Sequence, residues 1–189
     1  MMGIHFFRLQ IAILFLAFLP GFLPGQQVYL TNNGTIRFKS DAPLELIQAA
    51  SQELRGAISP NERTFAFTVP MSSFQGFNSP LQREHFNENY MESAKYPDAT
   101  FIGRIIEDID LRQPGTYTIR AKGMLTVHGI TQERIIKSLV RVENGKCTVT
   151  SSFTVLLADH AITIPKVVHQ KIAEEIEVEV EGVLNLQSK

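Results

Sequence analysis

Apolar and polar residues alternate most clearly between Tyr117 and Val142. In the first half of this stretch every second residue is apolar or small up to Val127, and most residues between them are polar or charged. Alternation with a period of two predicts a strand with one buried and one solvated face. Gly129 can adopt a positive φ in the turn that follows, and a second strand-like run covers 135–142. The stretch predicts a long antiparallel hairpin, which needs partner strands to complete a core.

Shorter runs of the same kind predict those partners. The run Leu44 to Ala49 also has helix propensity but is interpreted as a strand. Residues 31–34, Thr-Asn-Asn-Gly, predict a turn. The predicted partner strands cover residues 35–40, 44–49, 52–59, 64–69, 100–108, 146–157 and the last run, from 175 to 186.

Two of these runs also predict which strand faces are buried or exposed. Residues 100–108 are apolar on both faces, which is typical of a strand covered from both sides. The last run has four glutamates on one face, from Glu175 to Glu181, which is interpreted as an outer surface. Cross-strand pairing of these carboxylates with Arg120 and Lys122 is expected.

One helix is predicted between the fourth and fifth of these runs. Ser79 is a good N-cap with Pro80 at the first helical position. Leu81, Phe86 and Tyr90 then continue along one stripe for about three turns. A second, short helix is expected near Val167. The pattern as a whole predicts an all-β fold: an up-and-down antiparallel barrel of about eight strands, with the helix packed over part of it. A strongly curled sheet is the alternative.

The first 25 residues have the pattern of a cleaved signal peptide. The first eight residues carry the positive charge of Arg8, and the apolar run Leu9 to Leu19 follows. A segment rich in proline and glycine then ends at Gly25. The apolar run is shorter than the roughly 20 residues of a membrane-spanning helix, although an uncleaved anchor stays an alternative. The prediction is a signal peptide over 1–25, a single domain over 26–189, and a periplasmic or secreted location.

Charge and cysteine usage narrow the function classes. The formal net charge is −1, and removal of Arg8 with the signal peptide makes it roughly −2. Nucleic-acid binding needs an excess of clustered Lys and Arg, so no nucleic-acid partner is expected. Cys147 is the single cysteine and lies on the apolar register of its strand, which favours a buried, inert thiol over a reactive one.

Two stretches together resemble a known family. Residues 95–101 read KYPDATF and residues 123–131 read GMLTVHGIT, with an upstream helix containing Arg83-Glu84-His85-Phe86. They resemble the YceI-like family of exported lipocalin-like barrels, and the resemblance runs through essentially the whole mature chain. Residues 31–59 depart from the family pattern, because they are shorter than the usual opening and contain no histidine.

The resemblance implies a barrel around an elongated apolar cavity, in which members bind polyisoprenoid or other amphiphilic lipid chains. By this analogy, side chains on the inward-facing strand positions and two on the covering helix form an apolar binding interior. They are Phe38, Leu46, Phe65, Phe67, Phe86, Tyr90, Phe101, Ile119, Leu125, Val127 and Phe153.

The histidines are ambiguous by sequence. His85 is interpreted as part of a solvated helix face, or as a contact to a ligand head group. His128 is interpreted as satisfying backbone groups at its turn, or again as a head-group contact. His85 and its neighbour Glu84 point about 100° apart on a helix, so they do not form a metal site. No nucleophile elbow or zinc-protease motif occurs, so no catalytic residue, metal or cofactor is predicted.

Three hypotheses follow. The first is an exported carrier whose partner is a lipid or isoprenoid small molecule, which touches a membrane only transiently for ligand exchange. A homodimer is left open. The second is a structural or interaction barrel whose interior is packed solid by its thirteen phenylalanines and its isoleucines. The third is an enzyme acting on an amphiphile with His85 or His128 as base. The volume of the internal cavity separates the first two.

Overall fold

The strands close into one antiparallel barrel. The computed structural model describes residues 27–188, so the predicted signal peptide lies outside the described residues. Each strand pairs with its sequence neighbours, and the first pairs with the last. This arrangement leaves no open sheet edge and confirms the predicted barrel. The strands are β1 Gln27–Asp41, β2 Leu46–Ser59, β3 Thr64–Pro70, β4 Asp98–Ile105, β5 Gly115–Val127, β6 Ile130–Glu143, β7 Lys146–Leu156 and β8 Glu175–Ser188.

The central hairpin, β5 and β6, has the predicted turn. His128 and Gly129 adopt φ values of 50° and 72°. Two successive positive φ angles match the right-handed twist of the flanking strands, which is why such turns suit tight hairpins. The pairing is unbroken from Gly115 opposite Val142 to Val127 opposite Ile130.

Residues 31–34 do not form the predicted turn. They lie inside β1, where the pairing register shifts against both β2 and β8. An irregularity of this kind bends a strand and increases its twist, as closure of a small barrel requires. The Asn and Gly residues that suggested a chain reversal therefore accommodate a bend within one long strand. Residues 46–59 are likewise one strand, not two.

The helix therefore lies between the third and fourth strands, not between the fourth and fifth. The α-helix α1 covers Pro80–His85 and widens into a π-helical turn over Phe86–Tyr90. Ser79 is the predicted cap, since its hydroxyl accepts a hydrogen bond from the Gln82 backbone N–H at 3.2 Å. A short 3₁₀ turn at Lys166–Val168 matches the expected second helix. No helix within residues 27–188 is long and apolar enough to span a membrane.

Two expectations about the outer surface are wrong. Strand β4 is not covered on both faces, because Ile102 points outward and is 54% exposed. The glutamates of β8 do not meet Arg120 or Lys122, because β8 lies between β1 and β7. Arg120 instead pairs with Glu107 at 2.8 Å and Lys122 with Glu133 at 3.2 Å, while Lys39 of β1 reaches Glu177 at 3.4 Å.

The core fills one end of the barrel. Tyr29, Leu111, Val140 and Leu184 are essentially inaccessible to solvent there, with Phe65 and Ile119 packed among them. Cys147 belongs to this cluster and is fully buried, as predicted, and burial raises the pKa of its thiol to about 12. We call this the packed end. It contains the start of β1 and the end of β8.

Candidate functional site

The opposite half of the barrel is hollow. A cavity of about 440 Å³ lies between the walls and the helix. Its lining is mostly apolar, with Phe38 on β1, Val127 on β5 and Val178 on β8 among the wall residues. A volume of this size is in the range of pockets that hold small organic ligands. The interior is thus divided between a packed end and an open end.

Aromatic rings hold the helix over the open end. Phe38 of β1 stacks on Phe86 at 5.4 Å between ring centroids, and Phe74 and Phe77 pack against both rings. Backbone hydrogen bonds between Ala50 and Gln75, at 2.8 and 2.9 Å, attach the preceding loop to β2. We refer to residues 71–91 as the cover, because they close one side of the cavity.

A second, smaller void of about 100 Å³ lies below the first, nearer to the packed end. Side chains from five positions line both voids, so the two voids meet at this boundary. We call this boundary the waist; its residues are Ile36, Val69, Ala99, Leu125 and Phe153.

Ten of the eleven predicted interior residues face one of the two voids. Phe38, Phe86, Tyr90 and Val127 line the large cavity; Phe65, Phe67, Phe101 and Ile119 line the small void; Leu125 and Phe153 line both.

Leu46 is the exception, and its prediction as an interior residue is wrong. It lies on the outer face and is 47% exposed, while its neighbour Ile47 lines the cavity. Successive strand side chains point to opposite faces, so a register error of one residue reverses the assignment.

Several lining residues were missed by the sequence analysis. Met71, Phe74 and Phe77 precede α1, and Leu157 and Ile162 follow β7. All five lie in short turns or loops, where no helical or strand periodicity indicates which side chains face inward. The only available signal was an excess of phenylalanine between residues 65 and 86.

Polar groups are concentrated where the cavity opens, between α1 and residues 165–172. Glu45, Gln82, His85 and Lys171 line this mouth. The Gln82 side-chain amide donates to a Glu45 carboxylate oxygen at 2.9 Å. Within residues 27–188, no ion pair or hydrogen bond engages the side chains of His85 and Lys171. Deeper in the cover, burial raises the pKa of Tyr90.

His128 does not reach the cavity, so its predicted role as a head-group contact is wrong. Its Nδ1 lies 3.1 Å from the backbone carbonyl oxygen of His160, and its Nε2 lies 2.7 Å from a carboxylate oxygen of Glu92. His160 is fully buried and hydrogen-bonds the carbonyl of Ile130 at 3.0 Å. The alternative interpretation, in which the His128 ring satisfies a backbone group near its turn, matches these contacts. Among the described residues no group of three or more His, Cys, Asp or Glu is placed to hold a metal ion.

Comparison with known proteins identifies the family. A sequence model described as the YceI-like domain matches residues 30–184. The chain belongs to the YceI-like family. The resemblance of the KYPDATF and GMLTVHGIT stretches is thereby confirmed. No curated protein matches the chain.

Solved structures share the YceI-like fold. A polyisoprenoid-binding domain from Saccharophagus degradans aligns with a TM-score of 0.70 and 16% identity, covering 86% of this chain and 98% of that one. Burkholderia cenocepacia BcnA aligns at 0.64 and 13% identity, covering 82% and 96%. The Campylobacter jejuni YCEI protein aligns at 0.55 and 12% identity, covering 99% and 92%. At these identities the likeness shows a common fold.

Proposed function

We propose that this YceI-like protein is a carrier that shields the apolar chain of a lipid-like molecule from water. The observation that carries the proposal is the 440 Å³ apolar cavity, open at one end and closed by packed side chains at the other. Each Å² of apolar ligand surface buried there contributes about 25 cal/mol. A single acyl or prenyl chain therefore gains several kcal/mol by leaving water.

Two further facts support binding of an apolar chain. The Saccharophagus degradans structure, which shares the fold over most of both chains, is described as a polyisoprenoid-binding domain. The charged residues of the lining, Glu45 and Lys171, lie with Gln82 and His85 at the mouth, where the head of an amphiphile would meet solvent. A molecule with an apolar tail and one polar end fits this distribution of side chains.

The two rival hypotheses receive less support. A solid structural module requires an interior filled with side chains, and only the packed end has that property. The enzyme hypothesis names His85 or His128 as base. His128 is turned away from the cavity and held by Glu92 and a backbone carbonyl. His85 lies at the exposed rim without a group that would orient its ring, whereas catalytic bases are held by such a group.

Extraction and thermal unfolding test the proposal. The purified chain is extracted with organic solvent and the extract analysed by mass spectrometry, and the stripped protein is offered palmitate or a prenyl alcohol. A ligand at one hundred times its Kd should stabilise the fold by about 2.7 kcal/mol. A protein that yields no lipid and is not stabilised by any offered chain would contradict the carrier function.

Two alanines of adjoining strands provide a matched pair of variants. Ala99 is at the waist, whereas Ala66 of β3 is exposed on the outer face. Ala99→Phe should fill part of the cavity and lower ligand uptake, while Ala66→Phe adds the same side chain outside and should leave uptake unchanged. Equal uptake by both variants would place the ligand elsewhere.

We also propose export by the N-terminal segment and ligand exchange at a membrane surface. The first proposal is supported by the charged, apolar and breaker-rich order of residues 1–25. For the second, the exposed apolar side chains Leu44, Leu81 and Val167 surround the mouth. Cell fractionation of the full chain tests export, and flotation with lipid vesicles tests the surface contact.

A further inference from the structure

We propose that the waist acts as a chain-length ruler, so that the cavity accepts one short acyl-type chain of about fifteen carbons with an anionic head. This inference rests on the proposed carrier function and adds to it the length and head-group class of the ligand. It follows from the volumes, the position of the waist and the side chains at the mouth.

The volume of the cavity sets the length. A water molecule occupies about 30 Å³ of liquid and a methylene group is of similar size, so 440 Å³ holds about fifteen carbons. With the 100 Å³ void below the waist added, the enclosed space holds about eighteen carbons. A forty-carbon prenyl chain is more than twice too long to be enclosed.

The packed end gives the cavity a fixed floor. Leu125 in the waist is 6% exposed, and the small void below it is closed by Phe65 and Ile119. Beyond them lie Tyr29, whose hydroxyl donates to the carbonyl of Leu111 at 3.1 Å, and the fully buried Leu184. Close-packed side chains of this kind do not shift cheaply to admit more of a ligand.

The side chains at the mouth select the head group. One carboxylate oxygen of Glu45 accepts a hydrogen bond from Gln82, so this acid is turned toward the cover. Lys171, on the other side of the mouth, has no anionic partner within residues 27–188, and His85 lies on the same rim. A carboxylate at the end of the chain would therefore find its counter-charge at Lys171.

Binding of a series of saturated fatty acids, from eight to twenty carbons, together with a forty-carbon prenyl alcohol, tests the ruler. Affinity should rise about fourfold for each added methylene while the chain is buried, and level off or fall beyond about sixteen carbons. Binding of the forty-carbon alcohol as tightly as of the best fatty acid would overturn the ruler while the carrier function stands. Failure of every chain to bind would overturn the carrier function itself.

Two leucines provide a matched pair of variants for the waist. Leu125→Ala should join the two voids and move the preferred length upward by about six carbons, three for the lost side-chain atoms and three for the void. Leu184→Ala makes the same change in the packed end, away from both voids, and should leave the preferred length unchanged. If Leu125→Ala fails to fold, Phe153→Leu gives a smaller shift in the same direction. Equal length preferences in the waist variant and the Leu184→Ala control would overturn the ruler.

Two lysines test the head group. Lys171→Met should weaken palmitate binding by about fivefold, the upper end for an exposed ion pair, and leave hexadecanol binding unchanged. Lys166 is close in sequence but does not line the cavity. Lys166→Met should therefore change neither affinity. An equal loss for palmitate and hexadecanol in Lys171→Met would overturn the anionic assignment.

Discussion

His128 and Glu92 form a contact of 2.7 Å between ring Nε2 and carboxylate oxygen, which joins the β5–β6 turn to the residue that follows the cover. Nδ1 of the same ring lies 3.1 Å from the carbonyl oxygen of His160. Both ring nitrogens therefore face a hydrogen-bond acceptor. One side chain thus connects three segments that lie next to one another at the open end.

The first prediction concerns this connection. His128→Asn keeps a residue that tolerates the positive φ but removes the ring, and it should lower the free energy of unfolding by about 1–2 kcal/mol. Glu92→Gln retains a hydrogen-bonding group and should cost less than about 1 kcal/mol, because the carboxylate is partly exposed. Chemical denaturation measures both. A double variant whose loss equals the sum of the single losses would show that the two residues do not interact.

The second prediction concerns a close approach of two strands. Gly103 of β4 and Gly123 of β5 are direct cross-strand partners. A Cβ on Gly123 would lie 2.5 Å from the carbonyl oxygen of Ile102, so Gly123→Ala should lower stability by about 2–3 kcal/mol.

Gly182 provides the control, since it too lies inside a strand and its added Cβ would meet nothing closer than 3.6 Å. Gly182→Ala should leave stability unchanged or raise it by about 0.5 kcal/mol. Similar losses in both variants would argue against strand contact as the cause.

The third prediction concerns the buried thiol. Burial raises the pKa of Cys147 from 9.0 to about 12, so the native protein should not react with a thiol reagent at pH 8, while the denatured chain should react fully. The unfolded chain releases this proton first as the pH rises. The thiol therefore stabilises the fold below pH 9, and this contribution is lost as the pH approaches about 12. Cys147→Ala should make the free energy of unfolding fall less steeply at alkaline pH. Rapid reaction of the native protein with the thiol reagent would contradict the burial of Cys147.

The fourth prediction separates stability from binding. Tyr29→Phe leaves the buried carbonyl of Leu111 without its hydroxyl donor and should cost about 1 kcal/mol of stability. Because this pair lies in the packed end, palmitate affinity should be unchanged. Isothermal titration of the variant at a temperature where it is folded measures the affinity, and a loss of binding would mean that the two ends are coupled.

Regular alternation made the barrel predictable, and irregular segments limited the prediction of the site. Strand β5 and the last strand follow a period of two closely, so their inward faces were predicted correctly. The Thr-Asn-Asn-Gly run has the composition of a turn, and only the requirement that β1 pair with both β2 and β8 makes it a bend. That requirement is a property of the closed sheet and has no local signal.

The two stretches that indicated the family turn out to meet in space. Tyr96, in KYPDATF, packs edge-on against the ring of His128, in GMLTVHGIT, at 4.8 Å between centroids. A Cβ on Gly129 would also collide with the Tyr96 ring. Their joint occurrence reflects packing of the loop that precedes β4 on the hairpin turn. The two stretches therefore identified the fold. They contain Ala99, Leu125 and Val127 of the cavity lining, but not its aromatic residues Phe74 and Phe77.

The seam between the first and last strands has a consequence for the timing of assembly. Phe38 and Val178 are opposite each other across this seam, and both form cavity wall. Contacts between distant parts of a chain require loop closure and form slowly. A nascent chain that still lacks β8 has no enclosed compartment, so the cavity can form, and become accessible to a ligand, only after the last strand has been synthesised.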